Sequence, residues 1–267
     1  MNPRVDYYDT TYRQHATDAM AQVRRETYGE DIGQNSWLTA AELRGFLEWM
    51  DVSATDNVLE VACGSGGPAC YVAQTTGCRV TGIDSSADGI ANAQALAHQA
   101  GIGERTRFIE ADANAALPFA NGEFDALMCV DAMNHLRDRA FVLGEWARVL
   151  RAGGRLTLTD PVVITGAVSN TELALRSSIG FFLFAPPGYT ERLLEGSGLR
   201  LIRATDASEN AATISRRRRE ARQRVAKELA TIEGEANFEG VQAFLQVVHE
   251  LAASRRLSRF VYHAIKP

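Results

Sequence analysis

Two groups of residues have the types and intervals that chemistry needs. In the first, the apolar run Asn57-Val58-Leu59-Glu60-Val61 enters the loop Ala62-Cys63-Gly64-Ser65-Gly66-Gly67-Pro68, and Thr81-Gly82-Ile83-Asp84 follows. Gly64, Gly66 and Gly67 lack a Cβ, so the loop can take left-handed dihedrals and a ligand can approach its backbone closely. Asp84 stands about twenty residues beyond the loop, at the end of a second apolar run, where a carboxylate can accept hydrogen bonds from two vicinal ribose hydroxyls. Loop and carboxylate together read as a cradle for a nucleoside-type cofactor. In the second group, His135 follows the run 124–130 and Asp160 closes the run 154–160, next to Pro161. An imidazole titrates near neutrality and can take a proton from a bound molecule.

The surrounding pattern supplies the elements that must hold these residues. Apolar runs at 57–61, 78–83, 105–110, 124–130, 154–160 and 199–205 predict strands, and 257–265 alternates as an antiparallel strand near a sheet edge does. Helices are expected at 39–50, 67–76, 86–100, 138–150, 171–180 and 188–196, with Pro68 suited to a first helical turn and Asp138 to an N-cap. A polar helical stretch runs from about 208 to 253 and is broken near Gly234. Such alternation predicts a mostly parallel sheet covered on both faces. Residues 1–38, with Tyr7, Tyr8, Tyr12, Tyr28 and Trp37, precede the sheet as a helical cap, and residues 39–267 form the cofactor-binding domain.

Bulk properties narrow the classes. At 267 residues, 46% hydrophobic and 23% charged, the chain suits one large α/β domain with additions. No apolar run reaches membrane-spanning length, and the polar start Met1-Asn2-Pro3-Arg4-Val5-Asp6 lacks a signal-peptide core, so a cytoplasmic location with no membrane partner is expected. Cys63, Cys70, Cys78 and Cys129 contain no Cys-x-x-Cys pair and read as reduced, structural residues. A net charge of −5 argues against a nucleic-acid binder. Ser215-Arg216-Arg217-Arg218-Arg219 is the local exception, read as a solvated helix face, with a dock for an acidic substrate or partner as the sharper reading.

Six short segments in order carry a family resemblance: Val58 to Gly66, Gly82-Ile83-Asp84, Glu110-Ala111-Asp112-Ala113, Leu117-Pro118-Phe119, Phe124-Asp125-Ala126 and Arg148 to Gly154. Their succession resembles the class I S-adenosylmethionine-dependent methyltransferases, over about residues 55–205 and the final strand. The resemblance implies a Rossmann-like seven-stranded sheet, mostly parallel with an antiparallel last strand. It implies S-adenosylmethionine as cofactor. Glu60 would orient the loop, Gly64 and Gly66 would pass the methionine part, Asp84 would hold the ribose hydroxyls with Ser85 also at the cofactor, and Asp112 and Ala113 would meet the adenine. Ala62, Val130 and Trp37 complete that set, although Ala62 stands where the family usually has its first glycine.

Within that family, His135-x-x-Asp138-Arg139 followed by Asp160 resembles small-molecule methyltransferases, among them sugar O-, sarcosine/dimethylglycine N- and quinone C-methyltransferases. This implies methyl transfer to an O, N or acidic C of a metabolite or natural product. His135 and Asp160 are the catalytic candidates, and lining the cleft is the other role open to His135. Tyr7, Tyr12 and Tyr28 of the cap, with Phe181 and Tyr189 of a lid insertion at about 161–190, are the candidate acceptor pocket. Asp131-Ala132-Met133-Asn134 replaces the Asp/Asn-Pro-Pro-aromatic motif of nucleic-acid amino-methyltransferases, and no metal-ligand set accompanies it. The same loop also suits a NAD(P)-dependent oxidoreductase or a catalytically inactive scaffold. A monomer or homodimer is expected, with the helical stretch 208–253 packing on the lid or on a second subunit.

Overall fold

The computed structural model describes residues 5–267; residues 1–4 of the expected cap lie outside the described residues. Seven strands, β1 (Asn57–Val61), β2 (Arg79–Asp84), β3 (Thr106–Glu110), β4 (Phe124–Cys129), β5 (Leu150–Ile164), β6 (Arg200–Asp206) and β7 (Leu257–Ile265), form one sheet in the order β3-β2-β1-β4-β5-β7-β6. Strands β1 to β5 pair in parallel, and β7 runs antiparallel to both β5 and β6. The architecture is the Rossmann-like methyltransferase sheet that the segment order implies. Strand β5 is longer than expected at both ends: it starts at Leu150, and past Pro161 and a register shift Val163 and Ile164 pair again with β7.

Register brings the carboxyl ends of the central strands level. Val61 pairs with Ile83 and with Cys129, and Asp84 pairs with Glu110. Ligands of open α/β sheets bind at that edge. Two apolar cores cover the two faces, one around Leu59, Leu127, Trp146 and Leu156, the other around Val58, Val72, Val80 and Met128. Between β1 and the helix Gly67–Thr76, the turn depends on a glycine: Gly66 has φ +76°, and a Cβ there would lie 2.5 Å from Ala93 Cβ. Asp138 caps the helix Arg139–Val149 by accepting from the Phe141 amide at 3.0 Å, as expected.

The cap consists of helices Tyr8–Arg13 and Asp18–Tyr28. The stretch 208–253 folds as Ser208–Arg224, Ala226–Glu233 and Glu235–Ala253, broken at Gly234 (φ +85°) and also at Val225. It packs within this chain: Ala211, Ile214, Phe244 and Val248 form one apolar cluster with Val5, Tyr7, Tyr28 and Trp37 of the cap and Ile179 of the lid. The arginine run is a correction to the solvated-face reading. Arg216, Arg217 and Arg219 are exposed, but Arg218 and Arg222, one helical turn apart, are buried. Arg218 donates to the Tyr7 and Tyr28 hydroxyls and to the Asn35 and Ser36 carbonyls, and Arg222 pairs with Glu233. Among the described residues no helix is long and apolar enough to cross a membrane.

Candidate functional site

A cavity of about 520 Å³ opens at the carboxyl edge of β1 to β4, roofed by the cap and the lid. Glu60, Ala62, Gly64, Asp84, Ser85, Asp112, Ala113, Val130, Trp37, Tyr7, Tyr12 and His135 all line it, so most of the expected site converges. Gly66 does not reach the wall and serves the turn. Ala62 takes φ +59°, a left-handed conformation that favours glycine.

The nucleoside side is built from backbone amides and acids. Asp84 Oδ2 accepts from the Gly64 amide at 2.8 Å and Oδ1 from the Ser86 amide at 2.9 Å, which ties the loop to the end of β2. Each oxygen keeps lone-pair capacity toward the cavity. Burial pushes the Asp84 carboxyl above its ordinary value, against the lowering effect of the Ser86 and Gly64 amides. Burial also raises Glu60 well above its usual range, and Glu60 Oε2 has no hydrogen-bond partner. Asp112 accepts from Asn114 with Oδ1 alone, at 2.8 Å from the amide nitrogen and 3.1 Å from Nδ2. Gly64 has φ +54°, and a Cβ there would stand 3.1 Å from the Tyr12 hydroxyl. An orphaned Glu60 carboxyl oxygen, an Asp84 carboxylate with lone-pair capacity beyond its two amide partners, and a bare backbone under a tyrosine fit S-adenosylmethionine. Tyr12 lies against this loop, its hydroxyl beside Gly64.

Another wall carries the imidazole of His135. His135 Nδ1 lies 3.0 Å from the Phe181 carbonyl, which can only accept, so Nδ1 bears the hydrogen and Nε2 offers its lone pair. Nε2 receives the Tyr8 hydroxyl at 2.6 Å and Asn134 Nδ2 at 2.9 Å. Asn134 Oδ1 is buried without a partner, on the same wall. Burial lowers His135 to about 4, the Phe181 carbonyl opposes that shift and the Arg176 charge adds to it, so the ring is neutral at physiological pH. Burial raises Tyr8 far above its ordinary value, which keeps the phenol protonated.

Besides Gly66, four expected site residues lie outside the lining. Asp160 is fully buried and does not face His135: its Oδ2 holds Arg139 Nη1 at 2.6 Å and Thr190 Oγ1 at 3.2 Å. Arg139 in turn donates to the Met133 carbonyl at 3.1 Å and the Leu183 carbonyl at 2.8 Å, so Asp160 positions the His135 turn and the lid through Arg139. Tyr28 points away from the cavity, its hydroxyl donating to the Ser36 carbonyl at 2.6 Å. Phe181 turns its ring outward, 47% exposed beneath Arg137, and contributes only its carbonyl. Tyr189 starts its helix beside Arg139 without reaching the cavity. Tyr8 of the cap and Phe182 of the lid, both within the segments expected to close the pocket, line the wall; Asn134, Phe244, Asp131 and Arg176, to which the sequence assigns no site role, line it as well. Asp131, at φ +54°, joins the cap to the sheet by accepting from the Trp37 amide at 2.8 Å, Thr159 Oγ1 at 2.7 Å and Arg259 Nε at 2.7 Å.

Residues 59–158 match the family described as "Methyltransferase domain". The O-methyltransferase resE of Aspergillus sclerotiorum is 33% identical over 205 residues, covering 74% of this chain and 76% of that protein. The chain belongs to the class I S-adenosylmethionine-dependent methyltransferases. The methyltransferase GfsG of Streptomyces halstedii is 37% identical over 168 residues, covering 61% of this chain, which spans 59% of that relative's length. Among solved structures, a putative sarcosine dimethylglycine methyltransferase from Galdieria sulphuraria superposes with a TM-score of 0.76 at 19% identity, over 85% of this chain and 84% of that one. That likeness concerns the fold. Family membership displaces the oxidoreductase reading of the glycine loop.

Proposed function

We propose that this methyltransferase moves a methyl group from S-adenosylmethionine to a hydroxyl of a small-molecule metabolite or natural product, with Tyr8 and His135 taking the proton. The observation that carries the reading is the Tyr8 Oη to His135 Nε2 hydrogen bond of 2.6 Å at the cavity wall. S-adenosylmethionine, when bound, supplies a methyl group on a sulfonium that departs as a neutral thioether. The chain's own contribution is placement, exclusion of water and proton removal.

Asp84 and Ser85 hold the ribose end, Asp112 and Ala113 the adenine end, and Gly64 with Ala62 and Glu60 the methionine end; Val130 and Trp37 close the sides. Trp37 is fixed by its amide on Asp131. On the acceptor side, the Tyr8 hydroxyl commits its hydrogen to Nε2, which leaves its oxygen lone pairs free to receive the acceptor's O–H. As the acceptor oxygen gains the methyl, its proton passes to Tyr8 Oη and the Tyr8 proton to Nε2. The Phe181 carbonyl and Asn134 hold the ring in that tautomer and orientation. The name of resE, an O-methyltransferase, supports oxygen as the target.

The test uses S-adenosylmethionine labelled in the methyl group, incubated with the protein and a metabolite extract, and mass spectrometry for labelled small molecules. Labelled O-methyl products support the reading. Cofactor binding without transfer to any small molecule refutes it.

A further inference from the structure

Among the described residues six arginines are buried: Arg24, Arg139, Arg176, Arg218, Arg222 and Arg259. Four of them face a carboxylate, and Arg218 is held by two tyrosine hydroxyls and two carbonyls. Arg176 has neither. It is 2% exposed, and its one hydrogen bond among the described residues runs from Nη2 to the Pro161 carbonyl at 3.5 Å, the outer limit for such a bond. A guanidinium carries five N–H donors, and taking a charge out of water without a counter-ion is strongly unfavourable. Burial accordingly lowers Arg176 to about 10, although it remains charged at neutral pH.

The position of this cation gives it a use. Arg176 ends the helix Asn170–Arg176 and lines the cavity, its guanidinium carbon 4.8 Å from the Phe182 ring centre and 5.3 Å from that of Phe244. Phe182 also packs edge-on against His135, with ring centres 5.0 Å apart. One aromatic ring thus touches both the unpaired guanidinium and the His135 imidazole. The two phenylalanine faces fix its plane, and a planar fork so fixed matches the two oxygens of a carboxylate or phosphate. A positive charge here also disfavours a cationic amine in the aromatic pocket.

We infer that the methyl acceptor is an anion, carrying a carboxylate or phosphate that Arg176 receives while a hydroxyl elsewhere on the molecule meets Tyr8. The inference rests on the methyl-transfer reading and narrows its substrate class. Arg176 binds the acceptor at a distance from the reacting oxygen, so it governs affinity and selection.

Calorimetric titration of the S-adenosylhomocysteine-loaded protein tests this with three probes of one shape: benzoate, phenyl phosphate and neutral benzamide. At least one anion binds at least about tenfold more tightly than benzamide, as a charge-assisted hydrogen bond in a desolvated site requires; benzoate and phenyl phosphate distinguish the carboxylate from the phosphate. Arg176→Gln abolishes that preference with S-adenosylhomocysteine affinity unchanged, and Arg176→Lys, which keeps the charge without the fork, retains part of it. Equal binding of benzamide and both anions, or no binding of either anion, overturns the inference. So does an undiminished preference in Arg176→Gln. Failure of the wild-type protein to bind S-adenosylhomocysteine removes the methyl-transfer reading and this inference with it.

Discussion

Replacing Tyr8 with Phe deletes one hydroxyl and keeps a ring that meets Tyr7 edge-on at 5.3 Å and His135 at 5.2 Å. The deleted atom is the donor to Nε2 at 2.6 Å, while Asn134 Nδ2 still satisfies Nε2 at 2.9 Å. Folding stability therefore falls only by about the net worth of one hydrogen bond, roughly 0.5–1.5 kcal/mol. Turnover falls much further, because the acceptor's proton loses its only contact with the relay. The general-base scale of roughly 10²–10⁴ corresponds to about 2.7–5.4 kcal/mol of barrier. His135→Gln removes the terminal acceptor and produces a loss of the same size. Since both groups serve one path, the double variant is no slower than the slower single variant, and the coupling energy equals about one of the single losses. The assay is the initial rate of S-adenosylhomocysteine formation with the labelled acceptor, with calorimetric S-adenosylhomocysteine affinity as the control for an intact cofactor site. Multiplicative losses in the double variant would refute the relay. Turnover of Tyr8→Phe within about threefold of wild type, well short of the general-base range, would do the same.

Three further outcomes follow from the geometry. Asp160→Ala leaves the buried Arg139 charged and without its counter-ion, so chemical denaturation reports a loss of roughly 3–5 kcal/mol; an unchanged midpoint contradicts the ion-pair assignment. Ala62→Gly relieves a left-handed cost of roughly 1–2 kcal/mol and adds a glycine penalty of roughly 0.5–1 kcal/mol, so stability stays level or rises by about 1 kcal/mol, and a lower melting temperature contradicts it. Burial lowers His15, His135 and His263 to about 4, so the unfolded chain takes up protons first as pH falls below the usual imidazole value. The stability these rings contribute is complete above about pH 6.5 and is lost toward pH 4, whereas Glu60 and Asp84, displaced upward by burial, act in the opposite sense as pH rises. Imidazole NMR titrations of the folded protein have midpoints near 4 for these rings; midpoints near 6.5 contradict the burial argument.

The glycine-loop side of the cavity was legible in the sequence because its residues are local: Gly64, Asp84 and Asp112 each stand at or just past a strand end, and parallel register brings those ends together. The acceptor side was not, because its pairings cross the chain. Asp160 satisfied the requirement for a carboxylate at the end of β5, but Arg139, already visible in the His-x-x-Asp-Arg pattern, lies closer and claims it. Tyr8 was one tyrosine among several, and only folded contacts, with His135 for Tyr8 and Arg218 for Tyr28, tell the two apart. Arg176 looks like an ordinary solvated residue at the end of Glu172-Leu173-Ala174-Leu175-Arg176; its burial depends on Phe244, which arrives from a helix more than sixty residues later. Phe181 and Phe182 are adjacent, and which ring turns inward is set when the Phe181 carbonyl takes the His135 hydrogen. The arginine run had the helical period in plain view, with Arg218 and Arg222 on one face, but its charge suggested water.

The most direct test is a crystal structure with S-adenosylhomocysteine and the unmethylated acceptor identified by label transfer. The account predicts the ribose at Asp84, the homocysteine chain over Gly64, and the acceptor hydroxyl about 2.6–3.2 Å from Tyr8 Oη, facing the sulfur. An acceptor hydroxyl that faces the sulfur but lies beyond reach of both Tyr8 and His135 would contradict it.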